Sequence, residues 1–481
     1  MTAKPLRRSP AKLLSSSRAS ALTVAALLGL GGDARATGIV VARFGGEQGT
    51  PVSANTTAMY YNPAMLGSLR GTNLFIEGSF ALRMLSYDRH VDAIDNPGVM
   101  PGTPDTDAHA GEASLTNLLV SPFIGVSTDL GMQNLGIAIG FYTPLGGQAE
   151  WDRNDDFVGN AQYPGAEDGV QRWHNIEGII RSSYITAAAG YKLPFGLSVG
   201  VGANVVLSVV ETIRARNADG TDDTTNAGGG LQEGRALADV TSTNFSLGVG
   251  LAYEPIPELT IGLSYQSQPN FGEMTMTGTL TTKLGPSDSS TADVDFTQSM
   301  PDIIRLGVRY RPMQALELRV WGSFERWSVL TNQCFLDQDV EGRGCRLNDD
   351  GTIPAGDNTG VINNVPRHWE DAVSLRASAS YWLNPQLELQ AGLGFDGNAV
   401  PDSTQEASLP DWNDVTATIG AVVGLMGGKL QVSGSFLAVI SIPRTVDFVP
   451  YPYNPPSRIP SGAGEYKAFT GVLQIGVGYK F

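Results

Sequence analysis

Phe469-Thr470-Gly471-Val472-Leu473-Gln474-Ile475-Gly476-Val477-Gly478-Tyr479-Lys480-Phe481 closes the chain and alternates in character almost residue by residue. Extended backbone sends successive side chains to opposite faces. Phe469, Gly471, Leu473, Ile475, Val477, Tyr479 and Phe481 therefore share one face, and Thr470, Gln474, Gly476, Gly478 and Lys480 the other, with Val472 the one large apolar intruder. About 9–11 residues of strand cross a bilayer, apolar toward lipid and polar or small toward a wet interior. The pattern predicts a membrane-spanning β-strand.

The same alternation recurs upstream. Leu259, Ile261, Leu263 and Tyr265 face away from Thr260, Gly262, Ser264 and Gln266; Leu306, Val308 and Tyr310 from Arg305, Gly307 and Arg309; Leu387, Leu389, Ala391 and Leu393 from Glu388, Gln390, Gly392 and Gly394. Four strands end in an aromatic and a Pro-containing turn, at Tyr191 to Pro194, Tyr253 to Pro255, Tyr310 to Pro312 and Tyr381 to Pro385, where each tyrosine sits at interfacial depth. Asp129 to Met132 and Met426 to Lys429 are two further tight turns. Six hairpins, the segment Asn73 to Leu85 and the terminal strand make fourteen strands. The expected fold is all-β: a 14-stranded antiparallel transmembrane β-barrel, residues 73–481.

Seven long connections alternate with the short turns, at Ser86 to Thr116, Pro144 to Gly178, Ile213 to Ala238, Thr277 to Asp295, Thr331 to Trp369, Asn398 to Asn413 and Ser441 to Tyr466. They are rich in Asp, Gly, Pro and Asn, and are expected to be exposed outer loops. Cys334 and Cys345 lie in one of them, and an exported chain predicts a loop disulfide. Trp151, Trp173, Trp321, Trp327 and Trp369 fall where strands meet these loops and predict an upper aromatic girdle.

The N-terminus predicts export. Lys4, Arg7, Arg8, Lys12 and Arg18 precede an uncharged stretch from Ala19 to Leu30 and an Ala34-Arg35-Ala36 cleavage site, so residues 1–36 are expected to be a signal peptide. Without them 26 Lys and Arg stand against 47 Asp and Glu, moving the formal charge from -16 to -21. That balance argues against a nucleic-acid partner. No cofactor or metal ligand set is evident: the acidic loops Asn217 to Asp223 and Asn348 to Asp350 read as solvated rather than as calcium sites, and His174-Asn175 with Ser182 and Ser183 falls on separate segments rather than forming a triad. The chain is not expected to be an enzyme.

Residues 37–72 carry no spanning pattern, and fourteen strands enclose a bore too wide for strand side chains to fill. They are expected to fold back as a plug. Within them lie Arg43-Phe44-Gly45-Gly46 and Tyr61-Asn62-Pro63-Ala64-Met65-Leu66, and further on Gly140-Phe141-Tyr142-Thr143-Pro144-Leu145-Gly146. Together with the strand count, these stretches resemble the FadL/TodX family of outer-membrane transporters for hydrophobic compounds. The resemblance implies an N-terminal hatch with the motif Asn62, Pro63 and Ala64, and passive transport, most readily of long-chain fatty acids or hydrocarbons. It implies capture by outer loops, binding in the lumen, hatch movement and lateral release through a kinked third strand. That strand would be Asn134 to Thr143, with Gly136, Gly140 and Pro144 as kink candidates. Glu77, Arg83, Arg305, Arg309, Glu317, Arg319, Arg376 and Glu388 lie on inward faces, as plug tethers or as a head-group site. The terminal Phe481 resembles the signal read by the barrel assembly machinery, and the surroundings would be outer-membrane lipid and lipopolysaccharide. A polar-solute porin and a surface adhesin or receptor barrel are the alternatives.

Overall fold

The alternation of the C-terminal strand persists from Gly464 to Lys480, with Leu473, Ile475 and Val477 exposed on the outside and Val472 and Gln474 buried within. A computed structural model describes residues 43–94, 104–217, 220–225, 230–285, 287–348, 352–447 and 459–481. The expected signal peptide, residues 37–42 of the expected plug, and residues 218–219 and 349–350 of the acidic loops lie outside the described residues.

Fourteen staves follow in chain order. They are β1 (Thr72–Arg89), β2 (Gly111–Thr128), β3 (Leu135–Glu150), β4 (Glu177–Lys192), β5 (Leu197–Arg216) and β6 (Gly234–Ile256). Then come β7 (Leu259–Gln266, Glu273–Lys283), β8 (Ser290–Ser299, Ile303–Met313), β9 (Leu316–Glu325, Asn332–Asp337) and β10 (Val361–Pro366, Ala372–Asn384). The circuit ends with β11 (Leu387–Asp396), β12 (Asp414–Leu425), β13 (Leu430–Ser441, Arg444–Val446) and β14 (Gly464–Lys480). Five staves are interrupted once, which is why the sheet contains 19 hydrogen-bonded segments. Neighbours pair antiparallel, and β14 pairs back onto β1 from Asn73↔Lys480 to Arg89↔Gly464. Closure matters because an unpaired backbone edge in hydrocarbon costs several kcal/mol per group.

The outer wall is apolar at each second residue, as at Ile76, Phe80, Leu82 and Met84 of β1, and Tyr191, Tyr253, Tyr310 and Tyr381 are exposed just before the short turns. Those turns match the six predicted. Leu130 (φ 50°) with Gly131 (φ 75°), and Met426 (φ 51°) with Gly427 (φ 69°), take the left-handed backbone that matches the twist of a hairpin.

The outer strands run further than the sequence indicated. β1 and β2 continue to Arg89 and from Gly111, β3 to Glu150, β5 to Arg216 and β6 from Gly234, and even the predicted loop Thr331 to Trp369 contains paired strands. Beyond the bilayer both faces of a sheet meet water, so the apolar alternation fades while the ladder persists. Cys334 and Cys345 are joined in a disulfide with Cα atoms 5.8 Å apart. The expected exposure of Asn398 to Asn413, within the connection 397–413 between β11 and β12, is wrong: Ala399, Val400, Thr404, Gln405, Glu406, Ala407 and Asp411 are buried inside the barrel mouth. The tryptophan girdle is also wrong, since Trp151, Trp173, Trp321, Trp327 and Trp369 are all buried. Trp321 shares the inward parity of Arg319 and packs on Tyr61 and Arg376.

Candidate functional site

Residues 43–71 run inside the bore. Asn62 caps the 3-10 helix Pro63–Ser68 by accepting from Ala64 N (3.1 Å), and its Nδ2 donates to Pro51 O (2.8 Å) and to Leu251 O of β6 (3.0 Å). One amide thus fixes the local turn and ties it to the wall. The segment presses backbone against backbone: an added Cβ at Gly136, Gly190 or Gly200 would collide with main-chain atoms of Leu66, Pro63 or Ala64, and one at Gly250 with Asn62 Oδ1. Glycines of β3 to β6 are the seat. Ser264 Oγ donates to Tyr61 O (2.6 Å), and Phe44, Tyr60, Phe123, Tyr142 and Tyr184 make one aromatic cluster between segment and wall.

On the opposite side the contacts are polar and charged. Glu77 accepts from Gly45 N (3.0 Å), Arg319 donates to Glu47 O (3.3 Å) and to Glu317 (2.6 Å), and Gln48 donates to Glu388 (2.7 Å). Arg305 donates to Tyr60 O (3.4 Å) with its guanidinium 4.5 Å from the Tyr60 ring centre. Asp396 takes both Arg43 (2.6 Å) and Arg376, while Arg309 stands 3.9 Å from Glu317. Most of the inward charges found in the sequence therefore hold residues 43–71 or one another. Arg83 differs: it lines open space above that segment, its Nη2 donates to Gln148 O (2.8 Å), and its Nε has no hydrogen-bond partner.

That space consists of two cavities. The outer, of about 160 Å³, is walled by Val210, Leu280, Phe296, Phe335 and Val365, with Arg367 and Glu406 at its polar side. The inner, of about 230 Å³, is walled by Leu119, Ile179, Leu437, Val439 and the intruder Val472, with Arg43 and Asp396 on its lining. Arg83, Gly146, Gly147, Gln148, Ile179, Ile180 and Pro410 border both.

The inner cavity reaches a break in the wall. β2 pairs with β3 only from Thr128↔Ile137 to Phe123↔Tyr142, although β2 continues to pair with β1 up to Gly111. Beyond Tyr142 the β3 register against β4 shifts, resuming at Leu145↔Ser182. Pro144 lies inside the shift and has no N–H to give a ladder. Above it β2 meets β3 mainly through side chains, with Ser121 Oγ donating to Thr143 O (2.7 Å) and Asn117 Nδ2 to Gln148 O. Leu119, Val120 and Ser121 at this edge line the cavity. Of the three kink candidates, Pro144 lies in the break, whereas Gly136 and Gly140 lie below it in regular ladder. Those glycines make room instead for Leu66 and Met59.

The other polar candidates are not assembled. His174 Nε2 lies 2.8 Å from Pro460 O, Ser182 Oγ bonds Ser208 Oγ (2.8 Å), and Ser183 Oγ bonds Thr143 Oγ1 (2.9 Å). Among the described residues no group of three or more His, Cys, Asp or Glu could hold a metal ion. The cavity walls were missed in the sequence because they come from ten or more staves. Val472, the exception to its strand's alternation, was the available signal.

No curated protein matches the chain in sequence. Solved structures share its fold: a FadL homologue of Pseudomonas aeruginosa has a TM-score of 0.70 at 14% identity, covering 94% of this chain and 100% of that one. The toluene transporter TodX of P. putida has a TM-score of 0.61 at 14% identity over 93% and 99% of the two chains. The Ralstonia pickettii toluene transporter TbuX has a TM-score of 0.58 at 14% identity over 93% and 99%. The family model for outer membrane protein transport proteins (OMPP1/FadL/TodX) matches residues 20–424. With a closed fourteen-stave barrel around an occupied bore, the chain belongs to this OMPP1/FadL/TodX family of outer-membrane transporters of hydrophobic compounds.

Proposed function

We propose that the protein carries long-chain fatty acids, or amphiphiles of similar shape, from the outer loops through the two cavities and sideways into the membrane at the β2–β3 break. The observation that carries this reading is the continuity of a lumenal space of mixed lining, its apolar wall formed by Leu119, Ile179, Leu437, Val439 and Val472, with an interrupted stretch of wall beside Thr143 and Pro144. A hydrophobe gains nothing from a water-filled path, whereas burial is worth about 25 cal/mol per Å² of apolar surface. Lipopolysaccharide would bar its direct partition from outside.

Residues 37–72 act as the hatch in this scheme, with Asn62, Pro63 and Ala64 as its motif. Phe44 supplies the coupling: its ring lies 5.1 Å from Phe123 and 5.6 Å from Tyr142, the last paired residues below the break. Displacing residues 43–50 would unpack the base of the opening. Arg83 supplies head-group recognition, since a guanidinium with an unused N–H beside a chamber with apolar wall residues suits the carboxylate of an amphiphile.

Two of the structural neighbours are toluene transporters, so an aromatic hydrocarbon is the competing substrate class. Purified wild type and Arg83→Gln decide between them through binding of a fluorescent long-chain fatty acid in competition with toluene. A tenfold or so weaker fatty-acid affinity in the variant, with toluene competition unchanged, supports the carboxylate reading. Equal fatty-acid binding by both proteins rejects Arg83 as its receptor.

A further inference from the structure

The inward fold of loop 397–413 divides the lumen. Pro410 borders both cavities, Glu406, Ser408 and Leu409 face only the outer one, and Asp411 and Trp412 only the inner one. A molecule moving between them passes the residues common to both, a neck formed by Pro410 of the loop with Arg83 of β1, Gly146, Gly147 and Gln148 of β3, and Ile179 and Ile180 of β4. A long connection with no strand of its own is an expensive segment to order unless something holds it.

Two arginines hold it. Arg444, on the short outer part of β13, donates to Asn398 Oδ1 (2.9 Å), Gln405 Oε1 (3.1 Å), Asp411 O (2.8 Å), Val400 O (2.8 Å) and Asp402 Oδ1 (3.1 Å from Nε). Its five donors thus bind the loop at both ends, a geometry that lysine cannot copy. From the other flank of the loop, in the interruption of β10, Arg367, itself buried, pairs with Glu406 (2.6 Å), and its carbonyl accepts from Thr404 Oγ1 (2.6 Å). Within the loop, Ala399 N donates to Asp411 Oδ2 (2.7 Å). The stretch carrying Pro410 is fixed between two staves.

We infer that loop 397–413 is the constriction that sets the girth of what this transporter passes, with Pro410 the specificity-determining residue and Arg444 its positioning residue. This rests on the hydrophobic-transport reading above. A rigid proline ring at this neck admits a slender alkyl chain more readily than a broad one, because an alkyl chain offers no polar group and is told from another by shape.

The test is transfer into proteoliposomes of two probes, a linear polyene fatty acid and a pyrene-labelled one, by wild type, Pro410→Gly and Arg444→Gln. Heat-modifiable migration on gels confirms that each barrel is folded. The expected result is a rise of about 10-fold or more in the ratio of pyrene to linear transfer in both variants, the scale on which one methylene's fit discriminates in a pocket. Pro410→Gly leaves the arginine network in place and carries the test if Arg444→Gln does not fold. An unchanged ratio in folded Pro410→Gly, or an equal change for both probes, overturns the assignment while leaving transport itself intact. Failure of wild type to transfer either probe instead removes the transport reading on which it stands.

Discussion

Gly200 and Gly202 lie two residues apart on the inward face of β5, yet alanine should be tolerated at one and not at the other. A Cβ at Gly202 would find its nearest neighbours at 3.5 Å (Ala188 Cβ) and 3.9 Å, ordinary contact distances. A Cβ at Gly200 would stand 2.6 Å from Pro63 O and nearer still to Pro63 C and Ala64 N. Those are backbone atoms of the capped turn that Asn62 ties to Leu251, so no side chain can swing away. The turn must move by about 1 Å, and overpacking of this kind costs roughly 1–3 kcal/mol. That corresponds to about a 5- to 150-fold shift from seated to displaced lumenal segment. Single-channel recording in planar bilayers reads the displacement directly, since an unseated segment admits ions. Gly200→Ala should open far more often than wild type, and Gly202→Ala should match wild type. Equal, low conductance in both variants, each shown to be a folded barrel, would refute the claim that the wall glycines form the seat.

Asn62→Ala should act at the same place by another route: it removes two buried hydrogen bonds and a partly buried one, and leaves Pro51 O and Leu251 O without this donor, a cost of about 2–4 kcal/mol. Raised protease cleavage within residues 43–71 at unchanged barrel melting would report it. The outer loops should loosen in acid. His109 is packed beside Arg172, with Arg89, Asp222 and Glu233 also acting on it, and burial first, then Arg172, pushes its imidazole down to about 3 from the ordinary 6.5. An opened loop regains the ordinary value, so the packed state is fully favoured above about pH 6.5 and loses stability as pH falls from there toward 3. Cleavage of the outer loops by an acid-active protease should therefore rise over that interval in wild type. His109→Gln should show a flatter pH response, and identical profiles would count against the assignment.

The transmembrane wall was readable because lipid imposes one demand on each second residue, and residues such as Leu473, Ile475 and Val477 meet it. The turn at Asn62 was readable because the residue does local work, capping the 3-10 helix that follows it. Other features needed the third dimension. Gly136 offered itself in the sequence as a kink point, whereas Gly136, Gly190, Gly200 and Gly250 admit a second backbone that lies far away in sequence, at Asn62 to Gly67. Loop 397–413 looked like solvated surface because its Gln405, Glu406 and Asp411 are polar, and their partners Arg367 and Arg444 lie on other staves. Trp321 could have been placed correctly from its parity with Arg319 alone. The wall break at Pro144 could likewise have been preferred over Gly136 and Gly140, since proline cannot donate to a ladder and glycine can.

Gly147 gives the most direct test of the transport path. It borders both cavities, and a Cβ there would meet nothing within 4 Å, so a phenylalanine can enter the neck without straining the wall. Uptake of a fluorescent long-chain fatty acid into proteoliposomes, measured beside single-channel conductance for wild type and Gly147→Phe, reads the consequence. The account predicts saturable uptake with low conductance in wild type, and loss of uptake with conductance still low in the variant. Undiminished uptake by folded Gly147→Phe, or a steady open conductance without saturable uptake in wild type, would contradict it.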